Sequence, residues 1–296
     1  FVKHQQSRKY QAYDYSGSFD YTSNKMMLGV LSKEMFDCYN DGSMDKTQAE
    51  ILLNQYLNSQ TSGQELNNAR IVDDLFRHDT HQLGVIEERI GSRISFINRQ
   101  LQEFMTAKYL SVDIERAKAF IRDNVSNTGL HQVVLFLFEM MPASAFVGLY
   151  NILKPIRKND YRDYYLYKLK LEILVRSVKA PKYFLLEEIE EYIQRIEWES
   201  DYDFKHDLLE ILLDGLYNTS LQARIEDFIS RYIPSASVYH DIRLSGLAQV
   251  ANLTEEDRQF VVLTVINGDV SNKILASKVI RSQIAGDEKL LEMINS

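Results

Sequence analysis

Apolar residues recur at helical spacing along almost the whole chain, with one interruption. From Asn24 the spacing predicts a helix whose face carries Met27, Leu28, Leu31, Met35 and Phe36. The turn cluster Asn40-Asp41-Gly42 stops it. Asp45, with Gln48 three residues on, predicts a capped second helix with a stripe of Ala49, Leu52, Leu53, Tyr56 and Leu57. Ser62 and Glu65 repeat that signal before a third helix bearing Leu66, Ala69, Val72, Leu75 and Phe76. Then the period shortens. Residues 83–88 and 93–97 flank Ile90-Gly91-Ser92, the pattern of a β-hairpin. Helical spacing returns with Leu101, Phe104, Met105 and Lys108, the face expected to be buried.

From Ser111 onward only helices are expected, starting near residues 113, 129, 143, 160, 181, 203, 220, 235, 254, 271 and 286. Pro142, Pro155, Pro181 and Pro234 fall at the boundaries, where proline leaves the helical ladder intact. Thr254 with Asp257 forms a further capping pattern, and Gly286 suits a helix end. Short connections make neighbouring helices antiparallel, in the rhythm of HEAT- or TPR-like stacks, although no consensus repeats. The fold class expected is mainly α. Residues 1–25 read as a linker or the end of a preceding helical element. Residues 26–112 have the winged-helix order, three helices and a small hairpin. Residues 113–296 form a helical, repeat-like array.

Composition narrows the function classes. The net charge of −8 argues against a chain that coats nucleic acid or anionic lipid as a whole. One cysteine, Cys38, excludes an internal disulfide and fits a reducing compartment. The apolar runs 133–138 and 260–266 are too short to span a bilayer. The start at Phe1 reads as a piece of a longer protein.

The string FINRQLQEFMTAKYL, residues 96–110, carries the one recognisable pattern. It resembles the closing segment of the winged-helix domain in NACHT-type STAND NTPases, F-x-H-x-x-x-Q-E-F-x-A-x-x-L, keeping Phe96, Gln102, Glu103 and Phe104 in register, with Ala107 and Leu110 one position beyond the pattern's alanine and leucine. The likeness extends over about residues 26–112: LGVLSKEMF and KTQAEILLNQYL stand where the family has its first helices, and Gly84-Val85-Ile86-Glu87 where it has a strand.

The resemblance implies a nucleotide-driven switch. An ATPase module using ATP or ADP with Mg would lie upstream in the same protein. The winged helix would clamp the ADP-bound form, and the helical array would sense a protein ligand or trigger, with homo-oligomerisation on activation. Immune or antiphage signalling in the cytoplasm is the setting it implies. This chain has no G-x-x-x-x-G-K-S/T loop to cradle phosphates, so the hydrolytic site is expected outside it and no cofactor is expected on the chain alone. The histidine that reaches the phosphates in the family is replaced by Asn98. Asn98 can donate through its amide without carrying charge, or it can simply cap the helix that follows; both roles are open.

Other candidates are weaker. His78 and His81 have a ligand-like spacing but no third ligand nearby. Cys38 reads as a small core residue. Arg99 and Glu103 read as an ordinary surface pair. The third helix carries Asp73-Asp74 and only two cations, Arg70 and Arg77, which speaks against DNA reading. Between Lys154 and Lys182 lie nine basic residues against three acidic, interleaved with Tyr161, Tyr164, Tyr165 and Tyr167 and bordered by Tyr183. Residues 187–214 then hold eleven acidic against two basic. Complementary faces of neighbouring helices are the simplest reading, and a ligand- or partner-sensing surface the runner-up. The competing function is a helical scaffold or adaptor for a protein partner. A nucleic-acid partner is the weakest alternative, and no membrane partner is expected.

Overall fold

Asp45 shows how local chemistry sets the first elements. It ends strand β1 (Ser43–Asp45), and its carboxylate accepts hydrogen bonds from the amides of Thr47 (2.9 Å) and Gln48 (3.2 Å), starting helix α2 (Lys46–Gln60). In the computed structural model, which describes residues 21–38, 42–60, 65–78, 85–153, 161–232, 240–249, 252–283 and 286–295, the chain forms two compact units, Phe1–Met141 and Pro142–Ser296.

In the first unit α1 (Tyr21–Cys38) buries Met27, Leu28, Leu31 and Met35, the face expected from its spacing. Phe36 is only half-buried. Helix α2 buries Ala49, Leu53 and Leu57. Helix α3 (Glu65–His78) buries Val72, Leu75 and Phe76, yet turns Asn68 inward instead of Ala69. The reason is polar: Asn68 Nδ2 donates to Asn58 Oδ1 at 2.6 Å, tying α3 to α2. The capping signal at Ser62 falls outside the described residues.

The hairpin is present as β2 (Ile86–Arg89) and β3 (Arg93–Phe96). Gly91 (φ 85°) and Ser92 (φ 58°) turn the chain in the left-handed region, and Ser92 holds it through its carbonyl, which accepts from Lys46 N at 2.9 Å. The sheet has a third strand that the pattern does not announce. β1 pairs antiparallel with β3, Met44 opposite Ile94, giving the order β1-β3-β2. The element order is therefore helix, strand, two helices, two strands.

Helix α4 (Arg99–Leu110) follows at once, and its buried face is not the expected one. Met105 is buried, but Phe104 is 38% exposed, while Gln102, Glu103 and Thr106 point into the protein. The cause is a close polar seam with α1. Ser32 Oγ donates to the Gln102 carbonyl at 2.5 Å, and it also meets Thr106 Oγ1 at 2.5 Å. Gly29 makes the approach feasible: a Cβ there would stand 2.5 Å from Tyr109 Cβ and 2.9 Å from the Met105 carbonyl oxygen. Phe104 packs edge-on against Phe136 at 5.8 Å, on α6 (His131–Met140), beyond α5 (Ile114–Asn124). That contact carries the first unit past residue 112, to Met141.

The second unit is all helix among its described residues: α7 (Ala143–Tyr150), α8 (Tyr161–Arg176), α9 (Lys182–Trp198), α10 (Tyr202–Asp214), α11 (Gln222–Tyr232), α12 (His240–Leu247), α13 (Glu255–Asn267), α14 (Val270–Gln283) and α15 (Glu288–Asn295). Pro142 and Pro181 stand at the N-caps of α7 and α9; Pro155 and Pro234 lie outside the described residues. The Thr254–Asp257 capping box forms in full. Each helix packs chiefly on helices one or two places away in the chain, the arrangement of an array. Phe146, Tyr150 and Phe184 form one aromatic core, and Leu244, Phe260, Val261, Ala276 and Val279 belong to another. No described helix is long and apolar enough to cross a membrane.

Candidate functional site

Asn98 occupies the N-cap of α4 with extended backbone (φ −145°, ψ 130°). Its Oδ1 accepts from the amides of Gln100 (2.7 Å) and Leu101 (3.4 Å). The side chain is exposed, and among the described residues nothing accepts a hydrogen bond from its Nδ2. One half of the amide thus starts the helix, and the other half remains a donor at the positive end of the α4 dipole.

Arg99, the next residue, is not half of an ordinary surface pair. Its Nε donates to Glu103 Oε1 at 3.0 Å, its Nη2 to the Gly129 carbonyl at 3.0 Å, and its guanidinium lies 4.2 Å from the centre of the Phe36 ring. Glu103 is buried, which makes the pairing structural. Arg99 fixes the start of α4 against α1 and the turn before α6, and so positions Asn98.

Cys38 is exposed, contrary to a core role. Its thiol donates to Glu34 Oε1 at 3.2 Å, and that bond, with burial and the charges of Glu34 and Asp37, raises its pKa. This is the opposite of an activated thiolate. His81 lies outside the described residues, as does the side chain of His78. On α3, Arg77 pairs with Asp73 (2.6 Å) and Arg70 approaches Asp74 (3.9 Å), so its two cations face carboxylates of their own helix.

In the second unit the charge blocks meet in part. Lys168 of α8 donates to Asp207 of α10 at 2.6 Å. Lys170 is buried, with its ammonium 5.5 Å from the Tyr150 ring and 5.8 Å from the Tyr167 ring. Tyr164 packs on Phe204 at 4.3 Å and Tyr167 on Tyr192 at 5.7 Å. These tyrosines are committed to packing rather than to stacking bases. Lys154, Arg157 and Lys158 lie outside the described residues.

Three features had no signal in the sequence reading. His206, Asp207 and Glu210 converge on α10 with metal-like proximity, but the Lys168 ammonium already supplies the positive charge there. A buried pair joins Arg243 Nη2 to Asp257 Oδ1 at 2.6 Å, under the Phe260 ring. A cleft of about 460 Å³ opens along α12–α14, lined by His240, Glu256, Phe260, Asn267, Asp269 and Asn272 among others. Its lining mixes apolar side chains with polar and charged ones.

Comparison with protein-family models, with curated proteins and with solved structures returns no match for this chain.

Proposed function

We propose that this chain is the C-terminal regulatory and sensor portion of a NACHT-type STAND signalling ATPase, with the ATPase site outside it. The observation that carries this reading is the free amide donor of Asn98, exposed at the start of the helix that closes the winged-helix order. In such a switch Asn98 would donate to a nucleotide phosphate in the closed, ADP-bound state, and α4, clamped by Arg99, would transmit loss of that contact to the rest of the unit. The helical second unit would sense a protein trigger, and the setting would be immune or antiphage signalling in the cytoplasm. ATP or ADP with Mg would bind upstream.

The test is the nucleotide content of the protein expressed together with the residues that precede Phe1. Stoichiometric ADP after purification is expected. A preceding sequence without a phosphate-binding loop, or a purified protein free of nucleotide, overturns the proposal.

A second reading, a helical scaffold binding a protein partner, is favoured by one observation. Leu263, Ile266, Val270 and Ile274 on α13 and α14 are all more than half exposed.

A further inference from the structure

Helix α14 buries Ala276, Val279 and Gln283 and presents another face outward. That face carries Val270, Lys273, Ile274, Ser277, Lys278 and Arg281, the i, i+3, i+4, i+7, i+8, i+11 series of a single helical stripe, and these residues line a shallow hollow of about 400 Å³. Val270 is 76% exposed and Ile274 55%. The apolar pair sits in the N-terminal half of the stripe, and Lys278 and Arg281 in the C-terminal half.

The arginines of the neighbouring helices are paired. Arg224 holds Glu190, Arg231 holds Asp227, Arg243 holds Asp257, and Arg258 holds Asp287. Lys273, Lys278 and Arg281 pair with no carboxylate among the described residues. A protein of net charge −8 therefore leaves three unneutralised cations beside exposed aliphatic side chains. We infer that this stripe docks an acidic amphipathic helix of another protein. Its apolar residues would cover Val270 and Ile274, and its carboxylates would lie against Lys273, Lys278 and Arg281.

Charge decides among the occupants. A second copy offering the same stripe would set three cations against three. A nucleic-acid strand would need aromatic platforms, and the stripe has none. An anionic bilayer is gripped by basic helices carrying Trp, Phe or Leu, which are also missing here. The inference does not depend on the ATPase reading, since it concerns only the surface of the second unit.

The experiment pans phage-displayed random peptides of about 12 residues, the length that follows the stripe at about 1.5 Å per residue, against the 296-residue chain. Selected peptides are then measured by fluorescence anisotropy against the wild type, a Lys273→Glu/Lys278→Glu/Arg281→Glu variant and a Val270→Ser/Ile274→Ser variant. Circular dichroism checks that each variant is folded. Enriched sequences are expected to alternate aliphatic and acidic residues at helical spacing and to lose affinity about tenfold or more in the charge-reversed variant. The serine variant is expected to weaken them as well. No enrichment, enriched peptides without carboxylates, or binding unchanged in either variant overturns the inference. So does tighter binding of this face to oligo-dT or to phosphatidylserine vesicles.

Discussion

Ser32 and Thr106 meet hydroxyl to hydroxyl at 2.5 Å in the fully buried seam between α1 and α4. Ser32 donates to the Gln102 carbonyl, so the seam is polar where an apolar contact was expected. Its closeness depends on Gly29. Gly29→Ala would place a methyl group 2.5 Å from Tyr109 Cβ, which the backbone cannot accept without moving. A loss of about 1–3 kcal/mol is expected in urea denaturation. Unchanged stability would show that the helices do not approach as described.

Phe104 leaves the buried role its spacing assigns, while Met105 keeps it. A buried phenylalanine would cost about 3–5 kcal/mol on truncation. Phe104, 38% exposed and held mainly by Phe136, should cost only about 1 kcal/mol as Phe104→Ala. Met105→Ala, at a buried position, should cost about 2–5 kcal/mol. Reversal of that order in matched denaturation curves would contradict the orientation of α4.

Arg243 and Asp257 are both buried and directly paired. Asp257→Ala takes from the buried Arg243 guanidinium its nearest carboxylate, leaving Glu256 at 3.7 Å, and breaks the Thr254 capping box. The expected loss is about 3–5 kcal/mol, and Arg243→Met combined with Asp257→Leu should recover much of it. A loss under about 1 kcal/mol for the single variant would mean that water reaches the pair.

His131 Nε2 donates to the Val125 carbonyl, 3.1 Å away, and burial lowers its pKa, with that hydrogen bond opposing. The unfolded chain takes up a proton near pH 6.5, while the folded chain does so only at lower pH. Folding stability should therefore fall as pH drops below about 6.5. His131→Gln should remove that part of the slope in melting temperature against pH. Identical acid slopes would assign the dependence elsewhere.

Much of the fold is legible in the residue pattern because helices announce themselves repeatedly. Met27, Leu28, Leu31 and Met35, or Val72, Leu75 and Phe76, report the same face several times over. Strand β1 is invisible, since three residues cannot display a period. The face of α4 misleads because the Ser32 and Thr106 hydroxyls and the Gln102 backbone carbonyl meet inside, and Phe104 sits at the rim. Asn98 was half legible. Its capping role follows from position before a helix, but the exposure of its other amide group is a three-dimensional fact. The Lys168–Asp207 bridge emerges only once α8 and α10 lie side by side.

Asn98→Asp separates the two roles of that residue. Aspartate keeps the cap, removes the amide donor and sets a negative charge against any phosphate. The decisive measurement is ADP retained by the protein carrying its upstream residues, compared between wild type and Asn98→Asp, with the melting temperature recorded alongside. Our reading predicts ADP lost or released markedly faster in the variant at unchanged melting temperature. Equal ADP retention in the two proteins would contradict it.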